Sequence, residues 1–364
     1  MTSFRISEGR CHALYAFEVG LEVHLGQAGR QMGSGEPQQA PRKGASGADP
    51  VQYRPAPLRL EAESGTARIG SFAVEAALEL VLYDFGAASV GYAIPLGPTD
   101  RDLLDLGRRL REDTALADDA RRRIDDLVRS LGPSIERPRV AELVEDYFIF
   151  RVKGVEGVAD AIDFAERHAA TVAQVLRGES ANLSPDEVAD ATAARISFAR
   201  QDVTFVDWDS AFILDPEPGQ FRHVLEFANV QLLELRYLDG QLDRLLERAY
   251  QLLFRRTGLR SLSPSFYASD LKELSTLQVE STILLERVTN AIKFLGEEYL
   301  ARLYRLVAGR LHLQQWIESI TRKLATIEGI YQKMTDRAST RRLELLEWVV
   351  ILLIALEIVL GFVR

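Results

Sequence analysis

The chain has 364 residues, 47% of them hydrophobic and 27% charged, which excludes fibrous and wholly disordered proteins and suggests two or three domains. A single cysteine, Cys11, excludes an internal disulfide framework and a cysteine-rich zinc site. Forty-four basic residues against 53 acidic ones give a net charge of −9, so there is no basic field and nucleic acid is not expected as a partner.

Residues 1–25 read as an N-terminal strand segment, with one or two strands over residues 12–25. Arg5 and Arg10 are followed by Glu18 and Glu22 rather than by an unbroken apolar run, so no signal peptide is expected. Residues 26–57 are rich in glycine and proline and almost free of large apolar side chains. Such a segment buries too little surface to offset its ordering entropy and reads as a flexible loop.

Residues 58–217 read as an α+β domain. Leu78, Leu80 and Leu82 alternate with Glu79 and Val81, and a turn at residues 84–86 leads into a second apolar run over 87–96, predicting a strand pair. Thr99 with Asp102 three residues on marks a helix start, with Leu103, Leu104, Leu106 and Leu110 on one face. A second helix over 121–131 closes at Gly132-Pro133. A short strand over 147–150 and a helix over 155–176 follow. Ser184-Pro185-Asp186-Glu187 combines a cap, a first-turn proline and an acid that reaches back to the cap. Residues 196–214, rich in β-branched and aromatic side chains, predict two or three strands.

Residues 218–342 change to an almost purely helical pattern. Leu235, Leu238, Leu242, Leu245, Ala249 and Leu252 step by alternating threes and fours, as do Ile317, Ile320, Leu324, Ile327, Tyr331 and Met334. These are heptad seams, which predict a helical hairpin, bundle or coiled-coil stalk, with self-association into a homo-oligomer. A third long helix is predicted over residues 271–313, with a reversal at Gly258 and Ser263-Pro264.

Residues 343–364 form a hydrophobic tail in which Trp348, Val349, Ile351, Leu352, Leu353, Ile354, Leu356, Ile358, Leu360 and Phe362 are the anchoring side chains of a membrane helix. From Trp348 to Val363 the run spans roughly 24 Å as a helix, against a hydrocarbon layer of about 30 Å. Glu357 is its one charge. Arg337, Arg341 and Arg342 precede the run and place the body in the cytoplasm by the positive-inside rule, with Trp348 at the interface. The competing reading is a buried bundle helix, which Glu357 favours.

The tail Leu346-Glu347-Trp348 with its apolar continuation resembles the closing signature of the family called "required for meiotic nuclear division", a domain of unknown function. The stretches 146–150, 183–187 and 207–215 resemble its interior blocks. The resemblance implies a membrane-tethered protein whose mitochondrial relatives support translation. That family has no agreed catalytic residues.

Asp202, Asp207, Asp209 and Asp215 surround the strands near Trp208 and form the best enzyme-like constellation, since clustered carboxylates bind Mg²⁺ or exchange protons. The plainer reading, turn residues and solvated strand ends, is favoured. The five histidines show no metal-ligand spacing. Gly26, Gly29 and Gly33 lack the Lys-Ser/Thr of a phosphate-binding loop. Asp84-Phe85-Gly86 has no companion kinase motifs and reads as a turn. The runs 108–111 and 121–123 read as solvated basic helix faces. No catalytic residue, cofactor or metal ligand is assigned. The expected function is a non-enzymatic, membrane-tethered scaffold or oligomerisation factor that meets the lipid bilayer through its tail. The alternatives are a metal-dependent hydrolase using the four aspartates and a soluble helical oligomer with the tail packed inside.

Overall fold

The structure, a computed structural model, describes residues 3–33, 51–53, 55–65, 67–158, 160–216, 221–254, 264–290, 292–294 and 298–363. Much of the glycine- and proline-rich segment and the expected reversal at Gly258 and Ser263 lie outside them. Two compact units divide the chain: Met1–Tyr237 with Arg287–Gln315, and Leu238–Glu286 with Trp316–Arg364.

The first unit is mixed α+β, built on an eight-stranded sheet. Its strands are β1 (Gly9–Glu18), β2 (Leu58–Glu63), β3 (Ala77–Leu82), β4 (Ala87–Pro95), β5 (Val144–Val152), β6 (Arg195–Ile196), β7 (Val203–Val206) and β8 (Ser210–Leu214). The spatial order is β6-β7-β8-β5-β1-β4-β3-β2, antiparallel except for β5 beside β8. The predicted pair over residues 77–96 forms as β3 and β4. At the turn between them Gly86 has a φ of +99°, and a Cβ there would lie 2.0 Å from the Gly20 carbonyl oxygen, so only glycine fits.

Period-two alternation gives the sheet two different faces. Cys11, Ala13, Tyr15 and Phe17 of β1 point into the main apolar core with Tyr92, Phe148 and Phe150. Helices α2 (Asp100–Glu112), α3 (Ala115–Leu131), α4 (Ala161–Arg167) and α5 (Ala169–Arg177) cover that face. The start of α2 is a capping box: Asp102 donates its N–H to Thr99 Oγ1 at 3.3 Å, and Asp102 Oδ2 accepts from the Thr99 N–H at 3.0 Å. The helix expected over 155–176 is two helices, because His168 leaves the helical conformation between α4 and α5. A short helix, α6 (Pro185–Ala191), starts where Ser184 accepts the Glu187 N–H, as its sequence indicates.

Within the segment expected to be a loop, a short helix, α1 (Leu25–Gln31), forms instead and buries Leu25 and Ala28. The long helix expected over 271–313 is also interrupted. Helix α8 (Pro264–Asn290) ends, and the β-favouring Ile292–Phe294 pairs antiparallel with Val51–Tyr53 before α9 (Glu298–Arg310) begins.

Helix α7 (Phe221–Phe254) runs from the first unit into the second, and its burial changes where the units divide. From Val224 to Leu235 nearly every residue is buried, so this half is covered on all sides. Beyond it only a stripe, Leu238, Leu242, Leu245 and Ala249, stays buried.

In the second unit that stripe belongs with α10 (Leu313–Val363). Ile320, Ile327, Ile330 and Met334 of α10 are buried, while Ile317 and Leu324 are half-buried. Lys323 bridges Asp239 at 2.8 Å and Asp243 at 2.5 Å, and Ser319 donates to Asp239 at 3.2 Å, so the two helices touch along this stretch.

Candidate functional site

The four aspartates singled out in the sequence do not form one cluster: Asp207 and Asp209 sit at the turn of the β7–β8 hairpin, Asp202 and Asp215 at its open end, and each is already engaged. Residues 207–210 form the tight turn between β7 and β8, closed by the Asp207 N–H donating to the Ser210 carbonyl at 2.7 Å. Asp207 is 1% exposed and meets Arg310 at 2.6 Å and Arg177 at 2.9 Å. Both arginines continue to Asp190, at 2.7 and 2.6 Å. Burial outweighs the two guanidiniums and raises the Asp207 carboxyl above its ordinary pKa.

Asp209 takes a two-pronged grip from Arg111, whose Nε and Nη2 donate at 2.9 and 2.7 Å. Asp202 accepts backbone N–H groups from Phe198 and Ala199 at 2.9 and 2.5 Å, as a turn residue does. Asp215 is buried at the end of β8. Carboxylates neutralised by arginine or consumed by backbone donors are poor metal ligands. Among the described residues no group of three or more His, Cys, Asp or Glu is placed to hold a metal ion. Arg310 also stacks over Trp208, its Cζ 5.3 Å from the ring centre, and Trp208 packs on His312.

A second constellation, not anticipated from the sequence, lies between the other face of the sheet and the first half of α7. Glu226 of α7 is 1% exposed. It accepts from Arg59 of β2 at 3.2 Å and from the Ser89 hydroxyl of β4 at 3.0 Å. Arg59 also meets Glu79 of β3 at 3.0 Å, and Glu79 is gripped in turn by Arg222. Gly91 makes room for this arrangement: a Cβ there would approach Arg222 Nη2 to 2.9 Å and Leu14 Cδ2 to 3.2 Å. Although burial opposes its charge, Arg59, His223 and Arg222 hold the Glu226 carboxyl far below the usual range. Burial, with Arg222, Arg10 and Arg151 adding to it, pushes His12 down to about 3 and keeps it neutral.

Further along α7, Arg236 pairs with Glu145 of β5, and the Asn229 amide donates to the Glu145 carbonyl at 3.2 Å. Burial pushes Glu145 up to about 7. Glu18 of β1 and Glu234 of α7 meet in the same layer, both buried. On its outer side α7 is closed by α9, where the Tyr304 hydroxyl donates to Gln231 Oε1 at 2.5 Å. The signal for this layer was present in the sequence. Residues 224–235 are apolar on every side of the helix, so the polar residues among them had to be buried too.

The third feature is the end of α10. Leu346, Trp348, Val349, Val350, Ile351, Leu352, Leu353, Ile354, Leu356 and Ile358 are each between 49% and 66% exposed. No described part of the chain covers them. The side chains of Glu357, Leu360 and Phe362 lie outside the described residues. Among the described residues no helix is long and apolar enough to cross a membrane.

An antiparallel-dominated sheet with one apolar and one polar buried face, continued by long helices, defines the class as a mixed α+β protein with a helical extension. Residues 8–221 match the family described as "Uncharacterized protein MJ0711, N-terminal domain", and the chain belongs to that family. Uncharacterized protein MJ0711 of Methanocaldococcus jannaschii is 23% identical over 211 residues, which is 57% of this chain and 63% of the relative. The match therefore spans less than two thirds of that relative's length. No solved structure matches the chain.

This membership corrects the resemblance to the family required for meiotic nuclear division. The match covers the α+β body in which the three interior blocks lie, and nothing links its family to that one. The blocks that suggested it are a buried strand, a capped helix start, a β-turn and an apolar run, which unrelated folds share for physical reasons.

Proposed function

We propose that the protein is a non-enzymatic, membrane-tethered scaffold that self-associates through its helical unit and presents the α+β unit to a partner. The observation that carries this reading is the uncovered apolar surface of α10 from Leu346 to Ile358, exposed all round the helix. A contiguous surface of this kind in water marks a membrane or a partner. The apolar run continues in sequence to Val363, with Arg364 beyond it and Arg337, Arg341 and Arg342 before it. That arrangement supports a single C-terminal span with the body in the cytoplasm. The seam of Leu238, Leu242 and Leu245 with Ile320 and Ile327 is filled within one chain and supports a helical hairpin or coiled-coil stalk, so the homo-oligomer reading rests on the uncovered tail. The hydrolase alternative has less support, because arginines already neutralise Asp207 and Asp209.

Membrane fractionation with carbonate extraction tests the anchor, comparing the full chain with a version lacking residues 343–364. The full chain should stay with the membrane after extraction, and the truncated one should be released. A full-length protein that is wholly soluble and monodisperse without detergent would end the reading and leave the internally packed or oligomeric tail.

A further inference from the structure

We infer that Glu18, at the end of β1, and Glu234, on α7, form a proton-sharing latch that fastens the first half of α7 to the polar face of the sheet and loosens it when the shared proton is lost. Glu18 is 5% exposed and Glu234 is 1% exposed, and the two carboxyls lie close enough to act on each other electrostatically. Glu18 Oε2 and both carboxyl oxygens of Glu234 find no N–H or O–H donor. An ionised carboxylate only accepts, so two facing carboxyls without a donor are satisfied when one carries a proton and gives it to the other. Two bare carboxylates in that position would be a buried pair of like charges.

The neighbouring charges are all committed elsewhere. On α7 itself, Arg236 engages Glu145 of β5, and Arg222 and Glu226 belong to the cluster with Arg59 and Glu79. Arg287 at the end of α8 engages Glu22 at 2.7 Å and acts on Asp84. From the chain after α3, the Ala141 N–H donates to the Glu18 carbonyl at 3.0 Å and the Arg139 N–H to the Val19 carbonyl at 2.9 Å. Among the described residues, no charge but its partner acts on either carboxyl. Burial accordingly raises both, and for Glu18 the facing carboxyl adds to it. The sign follows. With folded pKa values above the ordinary glutamate value of 4.5, the latch contributes fully below that pH and weakens as pH climbs through the raised values.

Amide hydrogen exchange on the full chain in detergent micelles, from pH 5 to 9 and corrected for intrinsic rates, reads the latch directly. Protection of residues 226–237 should fall with rising pH, by at most about tenfold per pH unit for one proton. Glu18→Gln with Glu234→Gln, whose amides supply donors and no titrating group, should flatten that profile. Glu145→Gln and Asp84→Asn should each keep the slope, which separates the latch from the neighbouring raised carboxyls. A flat profile in the unmodified protein, or a slope that survives in the double variant, overturns the proposal. Should the double variant fail to fold, infrared spectroscopy of the Glu145→Gln protein decides. A protonated-carboxyl band must be present at pH 7 and fade towards pH 9, and its absence at pH 7 overturns the latch.

Discussion

Glu226 shows how a single side chain can hold two secondary-structure elements together. Its carboxylate serves Arg59 and Ser89 on the sheet while its backbone belongs to α7. Glu226→Leu should therefore cost about 3–5 kcal/mol, the usual result of stranding a buried partner charge, as read from denaturant unfolding. The pH dependence is opposite to that of the Glu18–Glu234 pair. A carboxyl held below its ordinary pKa of 4.5 stabilises the fold above that pH, and the contribution is lost as pH falls towards the depressed value. The unmodified protein should lose stability on acidification below about pH 4.5, and Glu226→Leu should lose less over the same interval. The Asp207 cluster gives a different outcome. Changing Asp207, Asp209 and Asp215 to Asn should lower the melting temperature, because Arg177, Arg310 and Arg111 lose charged partners. Calorimetry should detect no micromolar Mg²⁺ or Mn²⁺ binding before or after the change, and binding that the change abolishes would restore the hydrolase reading.

At the scale of elements, local grammar and burial can be compared piece by piece. The capping box of Thr99 and Asp102 was legible because caps depend on residues three apart, and Thr99→Ala should cost about 1 kcal/mol in thermal unfolding. The β3–β4 pair was legible because alternation is local too. The seam of α7 was visible as a stripe, and Leu242 and Leu245 are buried there. Changing both to Asp should reduce helicity by circular dichroism or shift the assembly state by light scattering, since each aspartate would be buried unpaired. Helicity and assembly that both survive would show the seam to be misassigned. Of the polar layer only the α7 side carries a burial signal, because its partners His12, Arg59 and Glu79 are each unremarkable in sequence and come from three separate strands. The aspartates were found but not their arginines, since Arg111, Arg177 and Arg310 come from three distant helices. The break at Ile292–Phe294 was missed because three residues are too few for period two to stand out from a helix.

At the scale of the whole molecule, the tail and the sheet make separate demands. On membrane-insertion scales a central charge costs ~3 kcal/mol, whereas each large apolar residue returns about 0.3–0.6. Glu357→Leu should therefore strengthen retention in carbonate extraction, and Leu353→Glu should abolish it by adding a second, more central charge. The sheet makes its demand in time. Strand β1 lies in the interior of the sheet, pairing Gly9 with Val152 on one side and Arg10 with Pro95 on the other. Both pairings span long stretches of chain, so their closure entropy is spent before any contact rewards it. While the ribosome is still making residues 96–143, β1 has β4 beside it but no β5, and one row of its backbone donors and acceptors stands open. A nascent chain halted in that interval should be cut readily by protease and held by chaperones, whereas one released past residue 214 should resist. The strand made earliest of the eight is thus among the last to be fully paired, and the interval between is when this sheet is most exposed to misassembly.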